Sequence, residues 1–363
     1  VKVGLHVGQL RQAVPGGIGR YVRGLLSGLQ DLGVDTVPFG AGPLAAGELA
    51  TVPGYVDLGP PTGSLRYELW HRLRHPVVRL PVDVIHAPSL AIPPTGPVPL
   101  VVTVHDVAFL RHPEAFTRHG VGFHRRGLAL AYREAATVVT ASTFARDELL
   151  RTGFDGDRIH VAPHGVDVPE PEADDVVATR IRRLGLPEQY VLAVGTVEPR
   201  KGLDVLAAAF SQARRAVPDL ALAIVGPRGW LAVPGLDDPG IRVLGRVDER
   251  TLDALYRRAV LCAVPSRYEG FGLPALEAMA RGCPVVASAT TSLPEVVGDA
   301  GRLVPPEAVA GWADAIVELC TAAGPAAELA RRGRARAAEF TWTRSARAHL
   351  DAYTAATGAG AHP

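Results

Sequence analysis

The sequence predicts an α/β protein of two similar halves, each a mainly parallel sheet covered by helices. Three observations carry this. Apolar runs of strand length alternate with stretches of helical periodicity along the whole chain. The strand runs are mostly apolar on successive residues, as expected where both faces of a sheet are covered. The rhythm breaks once, at the acidic, proline-rich segment 168–175 (VPEPEADD), and then starts again. The 363 residues are enough for two domains with substantial cores. An N-terminal domain is expected at 1–168 and a C-terminal one at 176–341.

Each element has a local reason. The run 1–7 (VKVGLHV) is a strand opening the first half. A Gly-rich loop at 15–21 (PGGIGRY) leads into a helix over 22–32. A strand at 34–39, a Gly/Pro/Ala-rich loop over 40–62, a helix at 64–73 and a strand at 82–86 follow. The strand 99–105 ends in His105-Asp106. A helix at 125–134 and a strand at 137–141 precede Ser142, whose hydroxyl can accept from a free N–H of the helix after it. A strand at 159–162 closes the half.

In the second half, the strand 190–194 runs into 195–202 (GTVEPRKG) and a helix over 203–216. Strands at 220–225 and 241–244 precede Gly245-Arg246-Val247 and a helix begun by Asp248. The strand 259–264 enters 266–280. Short strands at 284–287 and 301–304, helices at 309–322 and 325–339, and an amphipathic helix at 342–355 complete the chain.

Composition excludes several classes. Hydrophobic residues make up 47% and the formal charge is +1, whereas a nucleic-acid binder would carry a basic excess. No run of 18 apolar residues occurs and the start does not resemble a signal peptide. A cytoplasmic protein is expected, with peripheral contact at the inner face of a membrane left open. Cys262, Cys283 and Cys320 lie in apolar surroundings and read as small buried residues. The two lysines, Lys2 and Lys201, stand against 36 arginines (38 basic residues less 2), so a lysine here is unusual.

The stretch 266–280 (SRYEGFGLPALEAMA) carries the main chemical signal. Pro274 suits a first helical turn. The glycines before it let backbone N–H groups approach a ligand, and a helix start favours negative charge. Glu269 and Glu277 bracket this cradle. Carboxylates repel phosphate, so they read as acceptors for ligand hydroxyls. A ligand with central phosphates and hydroxyls at both ends fits, and a nucleotide-sugar is one. Taken singly, Glu277 reads equally as a complement to the helix dipole and Glu269 as a solvated loop residue.

Arg200-Lys201, beyond a strand end, can neutralise a diphosphate whose bond to sugar is breaking. Arg binds oxygens bidentately and Lys is a compact charge; the bland alternative is a solvated turn. His105 reads as a contact to sugar or acceptor, or as a loop histidine satisfied locally. Gly17-Ile18-Gly19, with Asp35 as ribose acid, invites a dinucleotide-binding reading. Nine residues separate Val7 from Gly17, and Val22 takes the third glycine position, so that reading fails. No His-Glu-x-x-His or paired-cysteine pattern calls for a metal.

With these residues in place, the chain resembles the retaining nucleotide-sugar glycosyltransferases of the GT-B architecture, family 4 type, over essentially its whole length. The likeness is carried by Gly16-Gly17, by 194–202 (VGTVEPRKG), by Gly245-Arg246-Val247, and by the glutamate–seven–glutamate motif from Glu269 to Glu277. Leu293-Pro294-Glu295-Val296 and Phe340-Thr341-Trp342 add to it. Residues 17–21 (GIGRY) and 292–295 (SLPE) are similar to mannosyltransferases of polysaccharide assembly.

The likeness implies two Rossmann-like domains with mainly parallel sheets facing a central cleft. The last helix, 342–363, would pack back on the N-terminal, acceptor-reading domain. By matching position, Arg200 and Lys201 would hold the diphosphate and, with Glu269 and His105, form the catalytic set. Glu277 would accept from the ribose. Glu269 and the backbone of Gly270, Phe271, Gly272 and Leu273 would hold sugar hydroxyls and phosphate. Val247 would lie by the base, Gly16 and Gly17 would approach phosphate or acceptor, and His105 would touch the donor sugar. His164 departs from the family's usual Asn.

The implied reaction moves a hexose, mannose favoured, from a nucleoside-diphosphate sugar to a glycan, lipid-linked or small-molecule hydroxyl. It keeps the anomeric configuration and uses no metal or cofactor. GDP-mannose is the favoured donor, with a UDP-sugar as the alternative. An epimerase or phosphorylase of the same fold, and a nucleotide-sugar-binding subunit without catalysis, stay open. The glycine spacing disfavours an NAD-dependent oxidoreductase.

Overall fold

The computed structural model describes residues 1–12, 15–229 and 231–358. The chain forms two compact units, Val1–Gly165 with the segment from Phe340 onward, and Val166–Glu339. Each carries one parallel sheet of the Rossmann type.

The first sheet has seven strands: β1 (Val3–His6), β2 (Thr36–Gly40), β3 (Val56–Asp57), β4 (Val84–Ala87), β5 (Leu100–Thr103), β6 (Thr137–Thr140) and β7 (Ile159–Val161). Their order is β3-β2-β1-β4-β5-β6-β7. Val3 lies opposite both Thr36 and Val84, so the order reverses between β1 and β4. Alternate residues feed two cores. Leu5, Val84, Val101 and Val139 pack with Leu25, Leu29 and Trp342. Ile85, Val102 and Val138 pack with Trp70 and Leu128. This two-residue period puts one core on each face of the sheet. Burying a Leu such as Leu25 or Leu29 contributes about 1.5–3 kcal/mol.

Helix α1 (Gly16–Asp31) corrects the expected loop at 15–21, since Gly16 to Tyr21 already lie in its first turns. Glycine's poor helix propensity is overridden because the helix buries Tyr21, Val22, Leu25, Leu26 and Leu29. Glycines also let α1 approach the last helix (Trp342–Thr357). A Cβ on Gly24 would overlap the Trp342 ring, and one on Gly28 would overlap the Trp342 carbonyl. The expected loop over 40–62 holds a short helix, Ala46–Thr51, and β3. The helix before β6 begins early, at Arg118, with Thr117 accepting from Gly120 N–H. Ser142 caps as expected, accepting from Ala145 N–H at 3.1 Å.

The second sheet has β8 (Tyr190–Val194), β9 (Ala221–Val225), β10 (Ile241–Gly245), β11 (Leu261–Val264), β12 (Val285–Ser288) and β13 (Arg302–Val304), ordered β10-β9-β8-β11-β12-β13. Every pairing is parallel. The order reverses between β8 and β11, and open α/β sheets bind ligands at the strand C-termini of such a point. Helices α2 (Leu203–Ala213), α3 (Leu273–Ala280) and α4 (Leu293–Val297) follow β8, β11 and β12. A helix at Asp174–Arg183, which the acidic composition of 168–175 obscured, buries Val177 and Ile181. Among the described residues, no helix is long and apolar enough to cross a membrane.

Candidate active site

Three of the predicted charged residues, Arg200, Lys201 and Glu269, meet where the second sheet reverses. After β8 the chain passes Gly195 and makes a 3-10 turn, Pro199–Lys201, before α2. Gly202 ends that turn at φ 64°, and a Cβ there would overlap the Pro265 carbonyl beyond β11. The two strand exits are thus packed directly together, which brings Arg200 and Lys201 to Glu269. Lys201 Nζ donates to Glu269 Oε1 at 2.6 Å, and Ser266 Oγ donates to the same oxygen at 2.8 Å. Arg200 donates to Glu198 at 2.6 Å and to the Tyr268 carbonyl at 2.9 Å, with Glu269 Oε2 3.9 Å away.

Burial of Glu269 would raise its pKa, but the charges of Lys201 and Arg200 outweigh that and hold it below the usual carboxylate range. Both cations therefore already have carboxylate partners, a feature that their sequence does not announce. Arg267 braces the same turn, donating to Asp204 at 2.8 and 2.9 Å and to the Pro199 carbonyl at 2.8 Å.

The turn into α3 has the backbone that the glycines and Pro274 predicted. Gly272 adopts φ 109° as the residue before α3, and Pro274 sits in the first turn. Gly270, Phe271 and Gly272 are buried and Leu273 is half-buried. Glu277, one turn inside α3, is buried and accepts from Tyr256 OH at 2.9 Å. Val247 is half-buried, between Gly245 at φ 66° and Asp248, which caps the helix Glu249–Arg258.

Three predicted residues belong to the first unit. Gly16 and Gly17 are exposed at the start of α1. His105 lies two residues beyond β5, with Nε2 2.9 Å from the Pro88 carbonyl. A carbonyl only accepts, so Nε2 carries the hydrogen and Nδ1 keeps its lone pair. Burial lowers the His105 pKa, which favours the neutral ring. His164 is buried against Tyr21, with ring centroids 4.8 Å apart. Asp35 is exposed and pairs with Lys2 at 3.1 Å.

Among the described residues, no group of three or more His, Cys, Asp or Glu is placed to hold a metal. Asp155-Gly156-Asp157 has the spacing of an Asp-x-Asp motif, but Asp155 accepts from Asp157 N–H as a turn cap. Glu198, Ser266, Tyr256, Thr291 and Ser292 contact the predicted site residues without having been singled out. Glu198, Ser266 and Ser292 lie inside the quoted motifs 194–202, 266–280 and 292–295, which was the signal available for them.

Residues 15–170 match the family model Glycosyltransferase Family 4, and residues 188–322 match Glycosyl transferases group 1. A relative described as O-antigen chain mannosyltransferase B, from Escherichia coli, is 33% identical over 70% of this chain and 69% of its own length. The chain belongs to glycosyltransferase family 4. A D-inositol 3-phosphate glycosyltransferase of Nocardia farcinica is 32% identical over 97% of this family 4 chain and 78% of its own length. One from Salinispora arenicola is 38% identical over 72% of this chain, which spans 64% of that relative.

Among solved structures, Anabaena HepE in complex with UDP and glucose superposes with TM-score 0.74 at 20% identity, covering 96% of this chain and 98% of HepE. A sucrose-phosphate synthase from Thermosynechococcus elongatus gives 0.76 at 23%, covering 99% and 100%. These likenesses support the GT-B fold of two Rossmann-like domains for this family 4 glycosyltransferase.

Proposed function

We propose that this glycosyltransferase moves a hexose, mannose favoured, from a nucleoside diphosphate to a hydroxyl of a glycan, lipid-linked or small-molecule acceptor. It does so with retention of configuration and without a metal ion. The first unit would receive the acceptor and the second the donor. The observation that carries the reading is the Arg200–Lys201 pair, buttressed by Glu198 and Glu269 where the second sheet reverses, beside the Gly-Phe-Gly entry to α3.

In the proposed step the bond from C1 of the sugar to the diphosphate breaks and the acceptor oxygen bonds to C1. The acceptor's proton moves to the departing phosphate. Arg200 and Lys201 would take up charge that grows as the phosphate leaves. Glu269 and the backbone from Gly270 to Leu273 would hold the sugar and phosphate, Glu277 the ribose, and Val247 the base. Gly16 and Gly17 would lie against phosphate or acceptor. The His105 tautomer suits it to accept from a sugar hydroxyl at Nδ1.

The Escherichia coli relative's name supports mannose and thus GDP-mannose; the UDP-bound HepE structure keeps a UDP-sugar in contention. Catalysis would take place in the cytoplasm, with peripheral contact at the inner face of a membrane for a lipid-linked acceptor. The test is thermal shift with UDP, GDP and their sugars, followed by product analysis in EDTA. A donor that raises Tm and yields a product of retained configuration in EDTA supports the reading. Absence of stabilisation by every nucleotide would sink it.

A further inference from the structure

The loop that carries Glu269 is held from one side by three consecutive residues, two in the turn between β12 and α4 and the first of α4 itself. Thr291 Oγ1 accepts from Glu269 N–H at 3.2 Å and donates to the Thr290 carbonyl at 2.8 Å. Ser292 Oγ, fully buried, lies 2.9 Å from both the Glu269 and Phe271 carbonyls. Its single hydrogen is shared between them. Leu293 fills the space that a Cβ on Gly272 would need, 2.7 Å from its Cδ2. Thr291 adopts φ 56°, a left-handed conformation that a β-branched residue rarely takes. Such strain persists where neighbouring contacts over-determine it, and it concentrates at functional sites.

A trans peptide sets its C=O and N–H on opposite sides. Turning the Glu269 and Phe271 carbonyls to Ser292 therefore turns the N–H groups of Gly270 and Gly272 the other way. We propose that Thr291 and Ser292 are positioning residues for donor binding. They fix Glu269 for Lys201 and aim the N–H groups of Gly270 and Gly272 at the donor's phosphates. The inference rests on the nucleotide-sugar reading given under Proposed function. Neither residue touches the donor; each acts through the backbone of 269–272.

The test uses the full chain, with UDP and GDP titrated by calorimetry and donor KM, kcat and Tm measured in parallel. Ser292→Ala is expected to bind the nucleotide that wild type binds about tenfold more weakly, the equivalent of one lost hydrogen bond. Its donor KM should rise more than kcat falls. Thr291→Gly relieves the left-handed strain, so its Tm should match or exceed wild type, yet its affinity should fall about tenfold because Glu269 N–H loses its partner. Thr291→Ser keeps the hydroxyl and should stay within about twofold of wild type.

Wild-type affinity in Thr291→Gly and Ser292→Ala would overturn the positioning role while leaving the nucleotide-sugar reading intact. Affinity that falls in Thr291→Gly only together with Tm would overturn it as well. A wild-type chain that binds neither UDP nor GDP would overturn both.

Discussion

Tyr21 of α1 donates its phenolic hydrogen to His349 Nε2 of the last helix at 2.6 Å. The direction follows from the other ring nitrogen. His349 Nδ1 lies 2.8 Å from the Ser345 carbonyl and must carry the hydrogen, leaving Nε2 to accept. Tyr21 then accepts from Thr103 at 2.7 Å, Thr103 from His86 Nε2 at 2.8 Å, and His86 Nδ1 from Tyr353 at 2.8 Å. One chain of hydrogen bonds leaves the last helix, crosses β4, β5 and α1, and returns to it. Every donor has an acceptor only while both imidazoles are neutral.

Acid should therefore loosen this unit. Burial lowers His349 to about 4, and lowers His86 well below its ordinary value with the His349 and His105 charges adding to it. An unfolded histidine titrates near 6.5, so the unfolded chain binds more protons between about 4 and 6.5. The stability from His349 is complete above that window, is lost as pH falls through it, and amounts to on the order of 3 kcal/mol. Tyr21→Phe strands the His349 lone pair and should cost about 1–3 kcal/mol at pH 7. Chemical denaturation followed by circular dichroism from pH 8 to 4 checks both. A flat profile, or a Tyr21→Phe chain as stable as wild type, would refute the network's role.

Gly28 should not tolerate alanine. Its added Cβ would overlap the Trp342 main chain, which cannot swing aside as a side-chain tip can. Overpacking of this kind costs about 1–3 kcal/mol, so Tm should fall by several degrees. Gly33→Ala meets no neighbour but sits at φ 68°, and its smaller loss would reflect backbone strain alone. Calorimetric Tm values for the two variants separate packing from conformation. Equal losses would count against the close approach of the helices.

Most of the α/β framework was legible because its strands are largely apolar runs such as 221–225 (ALAIV), the pattern of parallel strands covered on both faces. The Gly-Phe-Gly-Leu-Pro entry to α3 was legible because its glycines and Pro274 have a backbone reason for their places. The start of α1 was not, because Gly16, Gly17 and Gly19 speak against a helix and only the packing of Tyr21 and Leu25 makes one. The Asp174–Arg183 helix was missed for a like reason, its Val177 and Ile181 being sparse among charges. At the site, the carboxylate partners of Arg200 and Lys201 were hidden. Glu269 is distant in sequence from Lys201, and the two meet through tertiary contacts such as Gly202 against Pro265 and Arg267 on the Pro199 carbonyl.

Glu277 should matter to nucleotide affinity more than to fold. Tyr256 OH meets one of its oxygens, Oε2, at 2.9 Å. Glu277→Gln keeps an acceptor for Tyr256 but loses the charge, and is expected to bind nucleoside diphosphate about tenfold more weakly, as for a lost hydrogen bond to a charged group. Tyr256→Phe should leave that affinity largely intact. Calorimetric titration of both with UDP and GDP is the check. A Glu277→Gln chain with wild-type affinity would remove the ribose assignment.

Lys201 and Glu269 invite a double-mutant cycle. Their side chains are 15% and 9% exposed, so removing Lys201 takes a charged donor from a largely buried carboxylate, which keeps Ser266 Oγ and the Arg200 charge 3.9 Å away. Lys201→Ala is expected to lose about 1.5–3 kcal/mol of stability for that reason, and about 10²–10³ in turnover for the missing charge on the leaving phosphate. Replacing Glu269 by Gln as well removes that carboxylate. The double variant should thus recover much of the lost stability and none of the turnover.

Glu269→Gln alone frees Lys201 from its carboxylate. It should bind UDP or GDP at least as tightly as wild type, while turnover falls because the sugar loses a charged acceptor. Denaturation curves, calorimetry and transfer assays on the four proteins separate the two roles of the pair. If turnover returned with stability in the double variant, Lys201 would be a structural lysine and the leaving-group assignment would fail.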